Sequence, residues 1–490
     1  MDRQVVLNRD SAAVFQNHAS FCIGTGRMAL ALHEEYAREL SFVQEKMHFT
    51  HIRGHGLLSD DMAIYRPYTD EKGVVHEAYC FTYLDRVMDL YQRLGLRPFL
   101  EIGFMPQNLA SGTQTIFYWK GNVTPPADDE KWIRLIRAVM THLKERYGEE
   151  EVSLWPCEIW NEPNLPNFWE NMDRDKYLHL YEITALTIKE VLPGMQVGGP
   201  AVCGCNEWEK WIEVFLTYCR DRHLPLDMVT RHIYMGQTPR HQGDYLYHDM
   251  CEPSFSIAEL EKTRRIIDSF PEYRGMPLHI TEFSTSYNPR CPIHDTNRNS
   301  ALIAGLLAKM GDYAASYSYW TFGDVFEETG VPARLFHGGF GLTAAHCIPK
   351  PTFWTFAFFN RLKGSPVYRD EHMVLLKNGA CYEGVCWNHS DEPVNLTLEI
   401  PEKETYVMSI KRVDEECCNP LKAWHLMGEK ASLSEEETEF LKMSAQPRTE
   451  VCHVNGKCDL LLQKNTVLSI QLKPYSPETE YGYDYGWYES

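Results

Sequence analysis

Eight short apolar runs, most followed by an amphipathic helical stretch, set the fold of this chain before any single residue is weighed. They lie at roughly 20–24, 48–54, 97–103, 153–161, 195–200, 227–234, 277–283 and 316–322. Near-continuous apolar runs mark strands covered by helices on both faces, as in a parallel sheet. The segments between carry helical spacing, as in Tyr83-Leu84-Asp85-Arg86-Val87-Met88-Asp89-Leu90-Tyr91. Strand and helix in alternation build parallel βαβ units. Eight of them predict a closed (β/α)8 TIM barrel of ~250 residues or more.

The 490 residues exceed one typical domain, and the pattern changes after about residue 345. Asn378-Gly379 and Asn455-Gly456 each sit between apolar runs, a strong hairpin signal. Segments 373–388, 394–400, 405–412 and 451–472 read as antiparallel strands, interrupted by one acidic helical piece near 434–443. The expected division is an α/β barrel over 14–345 and a C-terminal all-β sandwich over 346–490, with residues 1–13 packing on the sandwich. The tail carries Tyr481, Tyr483, Tyr485, Trp487 and Tyr488 among acidic residues. It reads as packed against the body or a neighbouring subunit, since aromatics are enriched at interfaces.

Forty-eight basic against 68 acidic residues give a net charge of −20, which argues against nucleic acid or an anionic membrane as partner. The start, Met1-Asp2-Arg3-Gln4, has no apolar h-region, and no stretch is apolar enough to span a bilayer. Fifteen cysteines lack disulfide spacing, and Cys22, Cys157 and Cys386 fall inside apolar strands. Reduced thiols in a cytoplasmic protein are expected. Three glycosylation-type triplets, at Asn122, Asn388 and Asn395, are read as chance.

Two carboxylates carry the chemistry. Glu162 closes Leu154-Trp155-Pro156-Cys157-Glu158-Ile159-Trp160-Asn161-Glu162-Pro163, and Glu282 closes Pro277-Leu278-His279-Ile280-Thr281-Glu282. They end the fourth and seventh runs, at the C-terminal strand ends where barrel enzymes keep their catalytic groups. Retaining glycoside hydrolysis needs one carboxylic acid to protonate the leaving oxygen and one carboxylate to attack the anomeric carbon, ~5–5.5 Å apart. Asn161 places an amide beside Glu162. His232 and Tyr234, two apart on the sixth strand, point the same way. Trp320 ends the eighth strand, where its ring can stack on a sugar face.

These motifs together resemble glycoside hydrolase family 39, the β-xylosidase and α-L-iduronidase family of the Asn-Glu-Pro clan. The resemblance runs over nearly the whole chain. Besides the two carboxylate strands, it rests on Arg53-Gly54-His55-Gly56-Leu57-Leu58-Ser59-Asp60-Asp61-Met62, Pro98-Phe99-Leu100-Glu101-Ile102-Gly103-Phe104-Met105-Pro106, Gly198-Gly199-Pro200 and Tyr319-Trp320-Thr321-Phe322. Gly54 stands where the family has an aromatic residue, a departure expected to open one wall of the pocket. The resemblance implies Glu162 as acid/base and Glu282 as nucleophile, and a homo-oligomer, tetramer or dimer. It also implies Glu327 as ligand of the terminal sugar's outer hydroxyls, against a solvated loop carboxylate. His55 is a further hydroxyl ligand, and Phe117 and Phe168 are wall residues or core packing. In the iduronidase branch a lysine at the Tyr234 position helps hold the substrate carboxylate. Tyrosine there favours a neutral pentose.

The expected activity is a retaining exo-glycosidase removing terminal non-reducing β-D-xylosyl residues from xylo-oligosaccharides. Rivals are α-L-arabinosidase, β-glucosidase, β-galactosidase or α-L-iduronidase activity, and a non-catalytic carbohydrate-binding protein. Gly24-Thr25-Gly26-Arg27-Met28-Ala29 mimics a dinucleotide fingerprint, but a tight first barrel turn explains its glycines equally well. His294-Asp295 and Cys203-Gly204-Cys205 lack zinc-site spacing, so no metal and no cofactor are expected.

Overall fold

In a computed structural model, which describes residues 2–7, 13–400, 405–476 and 485–488, eight parallel strands close into one barrel in chain order. They are β1 (Cys22–Arg27), β2 (His51–His55), β3 (Arg97–Ile102), β4 (Cys157–Ile159), β5 (Val197–Val202), β6 (Met228–Tyr234), β7 (Leu278–Ser284) and β8 (Ser316–Tyr319). All eight overlap the expected apolar runs. β8 returns to β1 through the Ser318–Cys22 and Tyr319–Ile23 pairs.

The surrounding helices are α1 (Glu34–Met47), α2 (Thr82–Arg93), α3 (Asp129–Tyr147), α4 (Arg174–Val191), α5 (Trp208–Asp221), α6 (Pro253–Asp268), α7 (Asn297–Met310) and α8 (Pro351–Arg361). Their faces follow the sequence. α2 buries Leu84, Val87, Met88 and Tyr91, at the spacing that places side chains on one stripe. Asp128 and Asp173 start α3 and α4 by accepting from the backbone N–H of Lys131 and Lys176, caps worth about 1 kcal/mol each. α8 lies past residue 345, where the sequence pattern changes, yet it belongs to the barrel ring. Phe353, Phe356 and Phe359 are buried in the barrel's core, and Asn360 donates to the Met47 carbonyl at 3.1 Å.

Beyond α8 come β9 (Ser365–Arg369), β10 (Met373–Asn378), β11 (Cys381–Asn388), β12 (Val394–Glu399), β13 (Tyr406–Val413), β14 (Arg448–Val454), β15 (Lys457–Leu462) and β16 (Thr466–Pro474). Six form a sheet in the order β9-β10-β11-β16-β13-β14; the N-terminal strand Asp2–Val6, β12 and β15 form another. Strand alternation makes the pair a sandwich. Val394, Leu396 and Leu398 turn inward and share one core with Leu375, Tyr382, Ile470 and Leu472 of the larger sheet.

The two Asn-Gly signals part ways here. Gly379, at φ 61°, opens the tight turn between β10 and β11, where Asn378 pairs with Cys381. Asn455-Gly456 instead joins β14 of one sheet to β15 of the other, because a positive-φ turn fixes local geometry and not the choice of partner strand. α10 (Glu435–Ser444) supplies the expected acidic helix, opened by a reciprocal Ser434–Glu437 capping box. The short α9 (Pro420–Leu426) precedes it and has no counterpart in the sequence reading.

All fifteen cysteines are free thiols. Among the described residues no helix is long and apolar enough to cross a membrane. Of the aromatic tail, Tyr481 and Tyr483 lie outside the described residues, and Trp487 is 71% exposed in the single chain.

Candidate active site

β4 stops at Ile159, and the chain leaves it through two left-handed residues, Trp160 (φ 71°) and Glu162 (φ 43°). Such conformations are uncommon for residues with a Cβ and persist only when neighbours enforce them. Here the Trp160 N–H donates to the Ile102 carbonyl of β3, and the Glu162 N–H to the Ala201 carbonyl of β5, each at 3.1 Å. The adjoining strands therefore aim the Glu162 carboxyl into the barrel mouth. Glu282 projects from inside β7. A Glu162 oxygen, a Glu282 oxygen and a His232 ring nitrogen all lie within 4.8 Å of one another.

The two carboxyls have different surroundings. Glu282 is held from both sides: the Arg53 guanidinium grips Oε1, and the Tyr234 hydroxyl donates to Oε2 at 2.5 Å. Among the described residues no lysine or arginine pairs with Glu162. Burial, and next the charge of Glu282, push its carboxyl well above the usual range. Its Oε1 lies 2.8 Å from Nδ1 of His232. Burial and then Arg53 drive His232 far below its ordinary value, so the ring is neutral. Arg53 faces Nε2 of that ring at 3.5 Å and can only donate, which leaves the ring proton on Nδ1, pointing at Glu162.

Arg53 organises the floor beneath. Fully buried, it contacts Glu158 at 2.7 Å, Glu101 at 2.9 Å and the Asn161 side-chain oxygen at 2.7 Å, besides Glu282. Burial pushes the Glu101 carboxyl up, but His55 and Arg53 together hold it below its ordinary value. His55 bonds Glu101 through Nδ1 at 2.6 Å, turning Nε2 toward Glu282 at 3.5 Å and Glu328 at 3.7 Å. In the sequence Arg53 stands within a motif that gives it no role by itself. Its signal was the alternation Arg53-Gly54-His55, which puts Arg53 and His55 on the same face of β2.

That alternation also corrects the reading of Gly54. It points away from the pocket, where a Cβ would meet the Thr25 side chain at 2.6 Å and the Gly26 carbonyl at 2.7 Å. No pocket wall is opened there, and β1 leaves room for glycine alone. Glu327 is likewise displaced from its expected role. Its carboxylate pairs with Arg27 at 2.6 Å, and the neighbouring Glu328 faces His55, its carboxyl raised by burial and by Glu282.

Phe117 lies 5.9 Å from His55 and 5.4 Å from Phe168, and Phe104 and Trp119 extend this aromatic wall. Trp320 packs 4.8 Å from His55, with the Arg53 guanidinium 5.6 Å from its ring, and is only 2% exposed. The Gly24 of the dinucleotide-like stretch is a packing glycine, since a Cβ would stand 2.5 Å from the Trp320 ring. Among the described residues, Glu162, His232 and Glu282 are also the group close enough to hold a metal ion. Arg53 and Tyr234 already occupy both Glu282 oxygens as donors, so a metal there would have to displace one of them.

Residues 4–458 match the family model described as glycosyl hydrolases family 39. A β-xylosidase of Geobacillus stearothermophilus is 47% identical over 95% of this chain and 94% of its own length. One from Caldicellulosiruptor saccharolyticus is 33% identical over 88% of each. A solved GH39 β-xylosidase of Caulobacter crescentus superposes with a TM-score of 0.83 at 31% identity, covering 97% of this chain and 100% of that one. A second structure from that species, described as a monomeric β-xylosidase, gives a TM-score of 0.86 at 29% identity. This chain therefore belongs to glycosyl hydrolases family 39 and is a glycoside hydrolase.

Proposed function

We propose that the enzyme removes terminal non-reducing β-D-xylosyl residues from xylo-oligosaccharides or other β-xylosides, with retention of configuration. The carrying observation is the close pair Glu162 and Glu282 in opposed environments, within 4.8 Å and differently charged. Glu282, ionised against Arg53 and Tyr234, attacks the anomeric carbon. Glu162, protonated, gives its proton to the departing oxygen. The resulting glycosyl–Glu282 ester is cleaved by water that Glu162, now a carboxylate, deprotonates. The short carboxyl separation supports this route over inversion, which needs a gap wide enough for water. Asn161, His55 and Glu328 serve the sugar hydroxyls, and Phe117 and Phe168 wall the site.

The names of the relatives at 47% and 33% identity support xylose as the sugar. A uronic acid is disfavoured, because the guanidinium beside the pair, Arg53, is already bound to three carboxylates. The test is initial rate on nitrophenyl β-D-xyloside against the matching arabinoside, glucoside, galactoside and glucuronide. Proton NMR would follow the anomer first released. Dominant xyloside turnover with β-xylose appearing first is expected; α-xylose first would refute retention.

A further inference from the structure

Cys203 and Cys205 follow β5 at the barrel mouth, on the loop that faces the Glu162 segment. Their sulfurs are 3.1 Å apart. Cys205 is exposed and Cys203 buried. Only Gly204 separates them, so the intervening residue adds no side chain to the ring that a bond between the sulfurs would close. The contact between the two sulfurs brings the Cys205 thiol down to about 7 and pushes Cys203 up. One sulfur is thus an accessible nucleophile at neutral pH, and its partner waits in contact.

The loop is tied to the proposed acid/base. The Asn164 amide donates to the carbonyls of Cys203 at 3.1 Å and Cys205 at 2.9 Å, and its oxygen accepts from the Cys203 N–H at 3.1 Å. Asn206 closes the set by donating to the Asn164 carbonyl at 2.8 Å. Asn164 stands two residues beyond Glu162.

We propose that Cys203 and Cys205 are a reversible oxidation site for hydroperoxides, and that the disulfide formed there slows the acid-assisted step of the enzyme. The Cys205 thiolate attacks a peroxide oxygen, breaking the O–O bond and releasing hydroxide, and becomes a sulfenic acid. Cys203 then gives up its proton and attacks that sulfur, and hydroxide leaves. Two thiols and one hydrogen peroxide yield one disulfide and two waters. Bonding the sulfurs pulls on the carbonyls that hold Asn164 and so shifts the Glu162 turn. A dithiol or glutathione reverses the step by attacking at the exposed Cys205 sulfur. The rate effect rests on the reading of Glu162 as acid; the oxidation does not.

The test treats the full chain with one equivalent of hydrogen peroxide. Intact mass should fall by two hydrogen atoms, and the Cys203–Cys205 peptide should resist alkylation until dithiothreitol is added. Turnover of xylobiose should drop ~10-fold, in line with the sensitivity of catalysis to small displacements, and dinitrophenyl xyloside much less. Cys205→Ser, or Cys203→Ser should the first fold poorly, should lose both responses. The proposal is overturned if both thiols of that peptide stay alkylatable while other cysteines oxidise. It is overturned equally if the disulfide forms and xylobiose turnover is unchanged, or if the serine variants still respond. The mass readout needs no substrate, so a chain that uses another acid or sugar leaves that result standing by itself.

Discussion

Replacing Arg53 by methionine isolates the electrostatics that hold the site together. The guanidinium is fully buried and contacts Glu101, Glu158 and Glu282. Methionine keeps much of the volume and removes the charge, leaving buried carboxylates without their cation. Breaking a buried pair in this way costs about 3–5 kcal/mol. At ~2.1 cal/mol/K per residue, cooperative unfolding of a 490-residue chain carries an entropy of about 1 kcal/mol/K. The melting temperature of Arg53→Met should then fall ~3–5 °C at pH 7. The pH dependence fixes the cause. Glu101 is held below its ordinary value in the folded protein, in part by Arg53. It therefore adds stability above its unfolded value of ~4.3, and that contribution disappears as pH falls through the lower folded value. The variant loses the share of this contribution that Arg53 supplies, the His55 share remaining, so its deficit should be widest near neutrality and should narrow below about pH 4. Differential scanning calorimetry of both proteins from neutral to acid pH makes the comparison. No loss at pH 7, or a deficit that grows on acidification, would refute the reasoning.

Glu162→Ala should lose ~10²–10⁴ in kcat/KM on xylobiose, the range of general acid catalysis, and far less on dinitrophenyl xyloside, which needs no protonation. The wild-type rate should decline as pH rises through the elevated Glu162 value, and this limb should be missing in the variant; a limb that survives would assign it to another group. Tyr234→Phe removes one donor from Glu282. A hydrogen bond to a charged acceptor is worth about 1.5–3 kcal/mol, so kcat/KM should fall about ten- to a hundredfold and the melting temperature by no more than ~3 °C. An unaltered rate would remove Tyr234 from the account.

Most of the barrel is legible in the sequence because periodicity reports it directly: buried parallel strands read as continuous apolar runs, and their C-terminal ends mark where Glu162 and Glu282 emerge. His232 and Tyr234 follow from strand alternation in the same way, and both reach the carboxylates. Arg53 was harder, since a charge inside a barrel strand has no meaning until its three carboxylate partners, from three other strands, are assembled around it. Glu327 and Glu328 differ only in how an irregular loop is turned, and no period governs that. Asn455-Gly456 announces a turn, while the distribution of strands between two sheets depends on contacts far apart in the chain. α8 joins the barrel after the strand pattern has ended because its phenylalanines complete the ring between α1 and α7.

Double displacement requires Glu282 to bond covalently to the sugar. A 2-deoxy-2-fluoro-β-D-xyloside with a good leaving group slows both steps but breakdown most, so the intermediate accumulates. Intact mass spectrometry followed by peptide mapping should find one fluoroxylosyl group per chain, on the peptide holding Glu282, with none formed by Glu282→Ala. A label on Glu162, or steady turnover with no adduct, would contradict the double displacement and the roles assigned to the two glutamates.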